Sequence, residues 1–252
     1  MAIALRKPNE IEKLRAANKI VGGALELLRE NTKVGISLKE LDAMAEDYIL
    51  SHGAKPSFKG LYGFPSTVCT SLNKVIIHGI PTDYKLQEGD VIGYDIGTEL
   101  DGWFGDAAIT VGVGEITQAD EALIACAKDT LYHAIGEIKV GMRFKELSSL
   151  MENFITSRGF VPLHDFCGHG IGKKPHEEPE IPNYLNGSNA KSGPKIKNGM
   201  VFCLEPMICQ KEVKPTILEN GWDVVSADGL RGSHYEHTVA IINGKAEILS
   251  LA

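Results

Sequence analysis

Apolar positions along the chain predict two pairs of helices. In the first pair, two stripes fall at the spacing of a buried helical face: Ile11, Leu14, Val21, Leu25 and Leu28, then Leu38, Leu41, Ala45, Tyr48 and Ile49. Ser37 with Glu40 has the pattern of a capping box that opens the second helix, and Gly53 ends that helix. After Thr117 two further stripes repeat the arrangement: Leu123, Cys126, Ala127 and Leu131, then Phe144, Leu147, Met151, Phe154 and Ile155.

The two helix pairs belong to an internal repeat. Lys33-Val34-Gly35 recurs as Lys139-Val140-Gly141, and Lys39-Glu40-Leu41 recurs as Lys145-Glu146-Leu147, both at an offset of 106 residues. After each pair the sequence takes on β character, with matches at offsets of 110 and then 130. So many identities in one register indicate that the chain contains the same structural unit twice.

The repeat predicts the fold class and the domain organisation. We expect two similar α+β halves, roughly 8–115 and 116–245, related by a pseudo-two-fold axis and sharing one sheet. Because the offset grows along the chain, we expect insertions in the second half, in a loop over 178–195 and a hairpin over 211–228. No stretch rich in proline, glycine or serine separates the halves, so residues 1–252 are predicted to form a single catalytic domain.

Each half contributes two acidic residues at corresponding positions of its strands. At the offsets of 110 and 130, Asp95 corresponds to Glu205 and Asp106 corresponds to Glu236. A hairpin turn at Asp101-Gly102 joins two predicted strands and brings Asp95 nearly opposite Asp106. Four ionised carboxylates on one buried face would repel each other strongly, and a pair of divalent cations would remove that penalty. We therefore expect Asp106 and Glu236 to bridge two metal ions, with Asp95 and Glu205 each completing one end.

The alternative for any one of these acids is a solvated strand residue. Glu205 argues against it, because this carboxylate lies in the otherwise apolar run Val201–Met207, where a charge is rarely left unpaired. The correspondence of all four acids between the halves argues against it again, since unrelated surface acids need not fall at equivalent sites.

Three histidines, His78, His169 and His176, have informative surroundings. His169 lies among glycines in Cys167–Gly172, which indicates backbone packed closely around a site. A dinucleotide-binding loop is the alternative, but the spacing is not G-x-G-x-x-G. One neutral imidazole beside four carboxylates suits Mn, Fe or Co at least as well as Zn. Surface or hydrogen-bonded core positions are predicted for the other five histidines: His52, His133, His164, His234 and His237.

Composition excludes several classes of function. Apolar residues make up 43% of the 252 positions and charged residues 23%, which is ordinary for a globular enzyme. The net charge of -7 comes without a block of like charges, so nothing indicates binding to nucleic acid or to a membrane surface. Five cysteines without a C-x-x-C pair predict buried, reduced thiols in a cytosolic protein. No apolar run has the length of a signal peptide core or a membrane span.

Taken together, the motifs closely resemble those of type I methionine aminopeptidases in their bacterial form. The matching stretches are Ile77–Pro81, Asp95, Asp101–Asp106, Gly168–Gly172, His176–Pro179, Glu205-Pro206 and Glu236–Thr238. The resemblance covers nearly the whole chain. It implies the pita-bread fold, also found in X-Pro aminopeptidases, prolidases and creatinases, in which the two halves share an antiparallel sheet with helices on its outer face.

The resemblance also implies roles for individual residues. Metal ligation falls to Asp95, Asp106, His169, Glu205 and Glu236; catalysis to His78, His176 and Glu205, with Glu205 as the general base; and substrate contact to His78, His176, Phe64, Cys69 and Trp222. The last three would line the pocket for the methionine side chain. The chain departs from the commoner bacterial pattern at Pro175, where an aromatic residue is expected before His176.

The implied function is removal of the initiator methionine from nascent proteins by hydrolysis with two divalent metal ions (Co, Mn, Fe or Zn), preferring a small second residue. The implied setting is a cytoplasmic monomer that meets nascent polypeptide N-termini at or near the ribosome, without a nucleic-acid or membrane partner. Two alternatives remain. An X-Pro aminopeptidase or dipeptidase usually carries an N-terminal domain, for which the residues before His78 leave no room. A catalytically silent binding protein of this fold would not need all five ligands.

Overall fold

The computed structural model describes residues 2–185, 187 and 189–252. The described part of the first half contains two α-helices, one short 3-10 helix (Leu61–Gly63) and five strands: α1 (Pro8–Asn31), α2 (Leu38–Ser51), β1 (Lys55–Pro56), β2 (Val68–Leu72), β3 (Val75–Ile77), β4 (Val91–Leu100) and β5 (Trp103–Gly112). The second half contains two helices and ten strands: α3 (Gln118–Glu137), α4 (Phe144–Thr156), β6 (Val161–Pro162), β7 (Cys167–Gly170), β8 (Glu177–Pro182), β9 (Val201–Leu204), β10 (Met207–Cys209), β11 (Pro215–Ile217), β12 (Val224–Ser226), β13 (Gly232–His234), β14 (Glu236–Ile242) and β15 (Lys245–Ile248). Within the described ranges, no helix combines the length and the apolar character needed to cross a membrane.

The predicted helices and their caps are confirmed. The Ser37 hydroxyl accepts a hydrogen bond from the Glu40 amide at 3.2 Å, and the Glu40 carboxylate accepts one from the Ser37 amide at 2.8 Å, which is the predicted capping box. Thr117 caps α3 in the same way, by accepting from the amide three residues later. Every residue of the predicted apolar stripes is buried except Tyr48 and Phe154, which are half-buried. Helix formation and core formation therefore follow from the same pattern.

One nine-stranded antiparallel sheet joins the two halves. Its strand order is β1-β4-β5-β14-β9-β7-β8, with β2 also paired to β4 and β15 to β14. The seam between the halves is the pair of β5 and β14, in which Ala107 lies opposite His237 and Ala108 lies opposite Glu236. A second connection pairs β3 with β12. The predicted α+β architecture with a shared sheet is confirmed, while the assignment of residues 1–252 to a single domain stays a prediction.

Alternation along the central strands separates a helix-covered face from an open face. Tyr94 and Ile96 of β4 are buried in an apolar core with residues of α1 and α2. Phe202 and Leu204 of β9 are buried in the equivalent core with residues of α3 and α4. Because successive strand residues point to opposite faces, Asp95 points away from the helices. The helices therefore cover one face of the sheet, and the predicted acidic residues belong to the other.

The insertions of the second half differ in one respect from the prediction. Residues 211–228 form the predicted hairpin, in which β11 pairs with β12. The predicted loop over 178–195 is wrong at its beginning, because β8 extends to Pro182 and pairs with β7. Along β8, Pro179 and Ile181 are buried between exposed glutamates, which is the alternation of a strand with one covered face. Positions 186 and 188 of this segment lie outside the described residues.

Helix α1 packs directly on the backbone of β5 at Gly105. A Cβ at this position would lie 2.9 Å from the amide nitrogen of Asn18 and 3.0 Å from its Cα, which are both main-chain atoms of α1. We expect Gly105→Ala to lower the free energy of unfolding by about 1–3 kcal/mol, as other insertions into packed interiors do. Denaturant unfolding measures this difference.

The matched control is Gly136→Ala in α3, where a Cβ would meet no atom within 4 Å. Its free energy of unfolding should be unchanged or rise by up to about 1 kcal/mol, because alanine favours a helix over glycine. Equal unfolding free energies for the two variants would contradict the close contact between α1 and β5.

Candidate active site

Four neighbouring strands put a row of residues on the open face of the sheet. Cys69 of β2 lies opposite Asp95 of β4, Asp95 lies opposite Ala108 of β5, and Ala108 lies opposite Glu236 of β14. Directly opposed residues of an antiparallel sheet point to the same face, so these side chains form one row. Ala108 carries only a methyl group, which leaves space between the carboxylates of Asp95 and Glu236.

Asp106, His169 and Glu205 complete a cluster around this row. Asp106 lies two residues from Ala108 on β5 and therefore faces the same side. Nε2 of His169 is 3.8 Å from the Asp106 carboxylate and 3.5 Å from the Glu205 carboxylate. Potential ligand atoms of Asp106, His169 and Glu236 lie within 4.8 Å of one another. The structure thus brings together all five residues that the sequence predicts as metal ligands.

Glycines beside His169 let neighbouring strands approach it closely. A Cβ at Gly168 would lie 2.5 Å from the Cys203 carbonyl oxygen, and one at Gly170 would lie 2.1 Å from the Glu178 carbonyl oxygen. Nδ1 of His169 lies 3.0 Å from the Gly170 carbonyl oxygen, a contact that favours a proton on Nδ1 and leaves the lone pair of Nε2 free to bind a cation. The close backbone packing predicted from the glycine-rich stretch is confirmed.

Burial raises the pKa values of all four carboxyls, and repulsion between them adds to the effect at three. Burial raises the pKa of Asp95 to about 7. Burial raises the pKa values of Asp106, Glu205 and Glu236 well above their ordinary range, and the neighbouring carboxylates raise them further. Without compensating positive charge, this cluster would therefore hold protons at neutral pH.

The donor atoms of the cluster fit divalent cations. Burial lowers the pKa of His169 to about 3, so its imidazole is neutral at neutral pH, which is the form that binds a metal. Within the part of the chain that the structure describes, four buried polar atoms of the cluster lack a hydrogen-bond partner: Oδ1 of Asp95, Oδ1 of Asp106, Oε1 of Glu236 and Nε2 of His234. Several unpaired carboxylate oxygens around a neutral imidazole are the donor set of a divalent metal site.

A cavity of about 500 Å³ connects this cluster to an apolar pocket. It is lined by all ten residues that the sequence predicts as ligands, catalytic groups or substrate contacts. At the apolar end, Phe64 and Trp222 meet edge to face with ring centroids 5.1 Å apart, and Phe58 and Cys69 pack beside them. Because Cys69 lies opposite Asp95, the apolar pocket begins about 5 Å, one strand spacing, from the carboxylates.

The two remaining histidines of the prediction also line the cavity. The ring of His176 lies 4.4 Å from that of His169 between centroids. His78 has a φ of +60°, a left-handed conformation that residues other than glycine seldom adopt. The next residue, Gly79, packs so tightly that a Cβ there would lie 2.3 Å from a carbonyl oxygen of β2. Tight packing around an unusual backbone conformation thus fixes the position of His78.

An ion pair from the N-terminal segment holds the turn that carries His176. One oxygen of the Glu177 carboxylate pairs with the guanidinium of Arg6, and both side chains are largely buried. The other oxygen accepts hydrogen bonds from the amides of Lys173 and Lys174 at 2.8 Å and 3.2 Å. Arg6 therefore ties the segment before α1 to the turn next to the cavity.

The predicted position of His234, at the surface or hydrogen-bonded in a core, is wrong. Its Nε2 is buried without a hydrogen-bond partner among the described residues, 3.7 Å from the Glu205 carboxylate and 3.8 Å from the Glu236 carboxylate. The sequence did carry a signal, since His234 lies two residues before Glu236, and residues two apart on an extended chain face the same side. His237, in contrast, has hydrogen-bonding contacts at both ring nitrogens, as predicted for a core residue.

Aromatic residues outside the predicted site form much of the cavity wall. Phe58 lies at the apolar end, and Phe166 packs its edge against the ring of His78 with centroids 5.6 Å apart. Tyr62 is 79% exposed and stacks on His176 with centroids 6.3 Å apart. An aromatic ring therefore contacts His176 from another segment, although Pro175 precedes this histidine in the chain.

Comparison with known proteins identifies the family. Residues 12–243 match the model of metallopeptidase family M24. A methionine aminopeptidase of Helicobacter pylori is 62% identical over 251 residues, which cover 99% of each chain. That of Escherichia coli is 34% identical over 253 residues, which cover 100% of this chain and 95% of the relative. This chain belongs to metallopeptidase family M24.

Solved structures agree with the assignment to M24. The methionine aminopeptidase of Thermotoga maritima has a TM-score of 0.96 at 34% identity, with 100% of both chains covered. Prolidase from Pyrococcus furiosus has a TM-score of 0.80 at 24% identity and shares the fold, with 98% of this chain and 65% of the prolidase covered. The predicted resemblance to bacterial methionine aminopeptidases and the predicted fold are confirmed. Membership of a metallopeptidase family also confirms that this hydrolase uses divalent metal.

Metal binding to this M24 cluster should release protons, because carboxyls whose pKa values are raised must ionise before they bind a cation. Raising the pH removes the competing protons, so we expect the affinity for Mn²⁺ to increase from about pH 6 to about pH 8. Calorimetric titration of metal-free protein in two buffers of different ionisation enthalpy measures the protons released.

Asp95→Asn should release fewer protons than the parent chain, whereas Glu247→Gln, at a surface ion pair with Arg15, should release the same number. Binding that neither depends on pH nor releases protons would show that the carboxyls are ionised before the metal arrives.

Proposed function

We propose that this chain removes the N-terminal methionine from newly made polypeptides by metal-dependent hydrolysis. The observation that carries the proposal is the joining of a carboxylate and imidazole cluster to an aromatic pocket within one cavity. The 62% identity to a methionine aminopeptidase over nearly the whole chain supports the same substrate.

The proposed cofactor is a pair of divalent cations drawn from Mn, Fe, Co and Zn. Asp106 and Glu236 would be shared between the two, with Asp95 at one end and Glu205 with His169 at the other. Two observations support this assignment of ligands to the two cations. His169 and Glu205 are 3.5 Å apart, and Asp95 lies in one row with Ala108 and Glu236. When bound, the cations supply Lewis acidity towards the scissile carbonyl and lower the pKa of a water.

The geometry of the cavity favours the first residue of a peptide over an internal one. The pocket of Phe64, Cys69 and Trp222 would take the methionine side chain, whose flexible thioether packs well against aromatic rings. Because Cys69 lies opposite Asp95, a residue seated there holds its α-amino group close to the carboxylates. A free α-amino group is stabilised at that position, either as an ammonium ion by the carboxylates or as a neutral amine by a bound cation. An internal amide gains neither interaction, so the cleavage is that of an aminopeptidase.

Three side chains of this chain would orient the peptide and move the proton. The Glu205 carboxylate would take a proton from the attacking water and pass it to the leaving amine nitrogen. The Glu205 carboxylate borders both the cluster and the cavity, so it lies next to the place where the water and the peptide would meet. A ring nitrogen of His176 would donate a hydrogen bond to the scissile carbonyl oxygen, and His78 would contact the nitrogen of the leaving peptide.

The same proposal includes the setting of the reaction. The substrate would be a nascent chain at or near the ribosome, and the enzyme would act as a cytoplasmic monomer. The net charge of -7 supports the absence of a nucleic-acid partner. The stacked rings of Tyr62 and His176 border the cavity, which supports a preference for a small second residue.

A peptide panel that varies the first two positions, run with Mn²⁺, Fe²⁺, Co²⁺ and Zn²⁺ in turn, tests the substrate. We expect cleavage of Met-Ala-Ser and other peptides with methionine before a small residue, and little cleavage of Met-Trp-Ser. Cleavage that instead requires proline at the second position, whatever the first residue, would favour the dipeptidase alternative.

Glu205→Gln tests the proton transfer. The amide keeps the shape of the side chain but cannot accept the proton, so we expect kcat to fall by about 100-fold or more. Metal content is measured alongside, so that loss of catalysis is separated from loss of cations. The control is Glu180→Gln, an exposed carboxylate that lines the same cavity, and it should stay within about twofold of the parent rate. Near-parental turnover by metal-loaded Glu205→Gln would exclude Glu205 as the base.

A further inference from the structure

The main chain of His234 is fixed in one position beside the cluster. His234 is the last residue of β13 and lies opposite Met207 of β10. Its amide donates a hydrogen bond to the Thr110 hydroxyl at 3.0 Å, and its carbonyl accepts one from the same hydroxyl at 2.8 Å. The neighbouring Tyr235 donates its hydroxyl to the Thr110 carbonyl at 2.9 Å. These contacts tie β13 to β5, the strand that carries Asp106.

The side chains of His169 and His234 approach different oxygens of the Glu205 carboxylate. Oε1 of Glu205 lies 3.5 Å from Nε2 of His169, and Oε2 lies 3.7 Å from Nε2 of His234. Nε2 of His234 is also 3.8 Å from Oε2 of Glu236. The His234 residue is only 3% exposed, so no solvent shell satisfies this nitrogen.

These separations are those of ligands around a shared cation. Atoms that each lie about 2.1 Å from one metal ion are about 3 to 4 Å apart, according to the angle between them. The separations of 3.7 Å and 3.8 Å from Nε2 of His234 are too long for direct hydrogen bonds, which need about 3 Å. Ligand atoms of Glu205, His234 and Glu236 all lie within 4.8 Å of one another. The spacings of His234 thus match those of the predicted ligand His169.

We propose that His234 is a sixth protein ligand of the metal centre and gives a second imidazole nitrogen to the cation held by Glu205 and Glu236. This inference rests on the proposed metal-dependent function. A second nitrogen donor makes the centre better suited to Fe²⁺, Co²⁺ or Zn²⁺ than one nitrogen among carboxylates, which is closer to the preference of Mn²⁺. His234→Gln should therefore weaken Co²⁺ binding by at least about tenfold and weaken Mn²⁺ binding less.

The test counts the imidazoles that are bonded to metal. The full chain is labelled with nitrogen-15 histidine and loaded with a spin-active isotope of Cd²⁺ as the probe, and NMR detects scalar coupling between cadmium and ring nitrogens. Coupling passes only through a bond, so rings that are merely near the metal do not count. We expect two coupled imidazoles in the parent chain and one in His234→Gln. His237→Gln serves as the control on the same stretch of chain and should keep both.

The parent chain alone decides the question if a variant fails to fold. One coupled imidazole, with cadmium bound, would overturn the ligand role of His234 and would leave the proposed function intact. A chain that binds neither Cd²⁺ nor Co²⁺ would overturn the inference together with the proposed metal site. A larger loss of affinity for Co²⁺ than for Mn²⁺ in His234→Gln, with folding unchanged, would support the ligand role independently of the NMR count.

Discussion

Four carboxyl groups gathered on one buried face of the sheet set the main constraint on this structure. Two like charges 4 Å apart repel by about 4 kcal/mol near a protein surface, and burial adds a desolvation cost for each. Burial raises the pKa values of Asp95, Asp106, Glu205 and Glu236, and neighbouring carboxylates raise those of the last three further. The face is stable when these groups hold protons or when cations neutralise them, and only the second state can activate water. The metal-dependent chemistry of the M24 family therefore requires the state in which cations neutralise these carboxylates.

The two halves of the fold together supply what such a face requires. Strands β5 and β14 meet at the seam of the two halves, which brings Asp106 and Glu236 together from positions far apart in the chain. Small residues keep the space open, since Ala108 lies between Asp95 and Glu236 and glycines flank His169. On the other face, large apolar side chains such as Tyr94 and Phe202 anchor the strands to the helices. The rigid core therefore holds repelling groups at separations that cations can bridge.

Features that repeat along the chain were predictable from sequence, and features set by contacts between distant segments were not. The helix stripes, the capping box at Ser37 and the paired acids depend on local spacing or on the duplication. His234 was missed because its place depends on Thr110, a hydrogen-bond partner 124 residues away. Tyr62 stacks on His176 from the short 3-10 helix, where its own φ is +50°, a conformation that no periodic pattern reveals. The first part of the 178–195 segment is a strand because β7 provides an edge for it to pair with.

Anomalous diffraction from crystals of the full chain grown with Mn²⁺ tests whether cations bind to this carboxylate face, because it locates them without assuming any role for the ligands. We expect two anomalous peaks on the open face of the sheet, both in contact with Asp106 and Glu236, with Asp95 at one and His169 with Glu205 at the other. No peak among these carboxylates at neutral pH, or peaks that contact none of the duplicated acids, would contradict it.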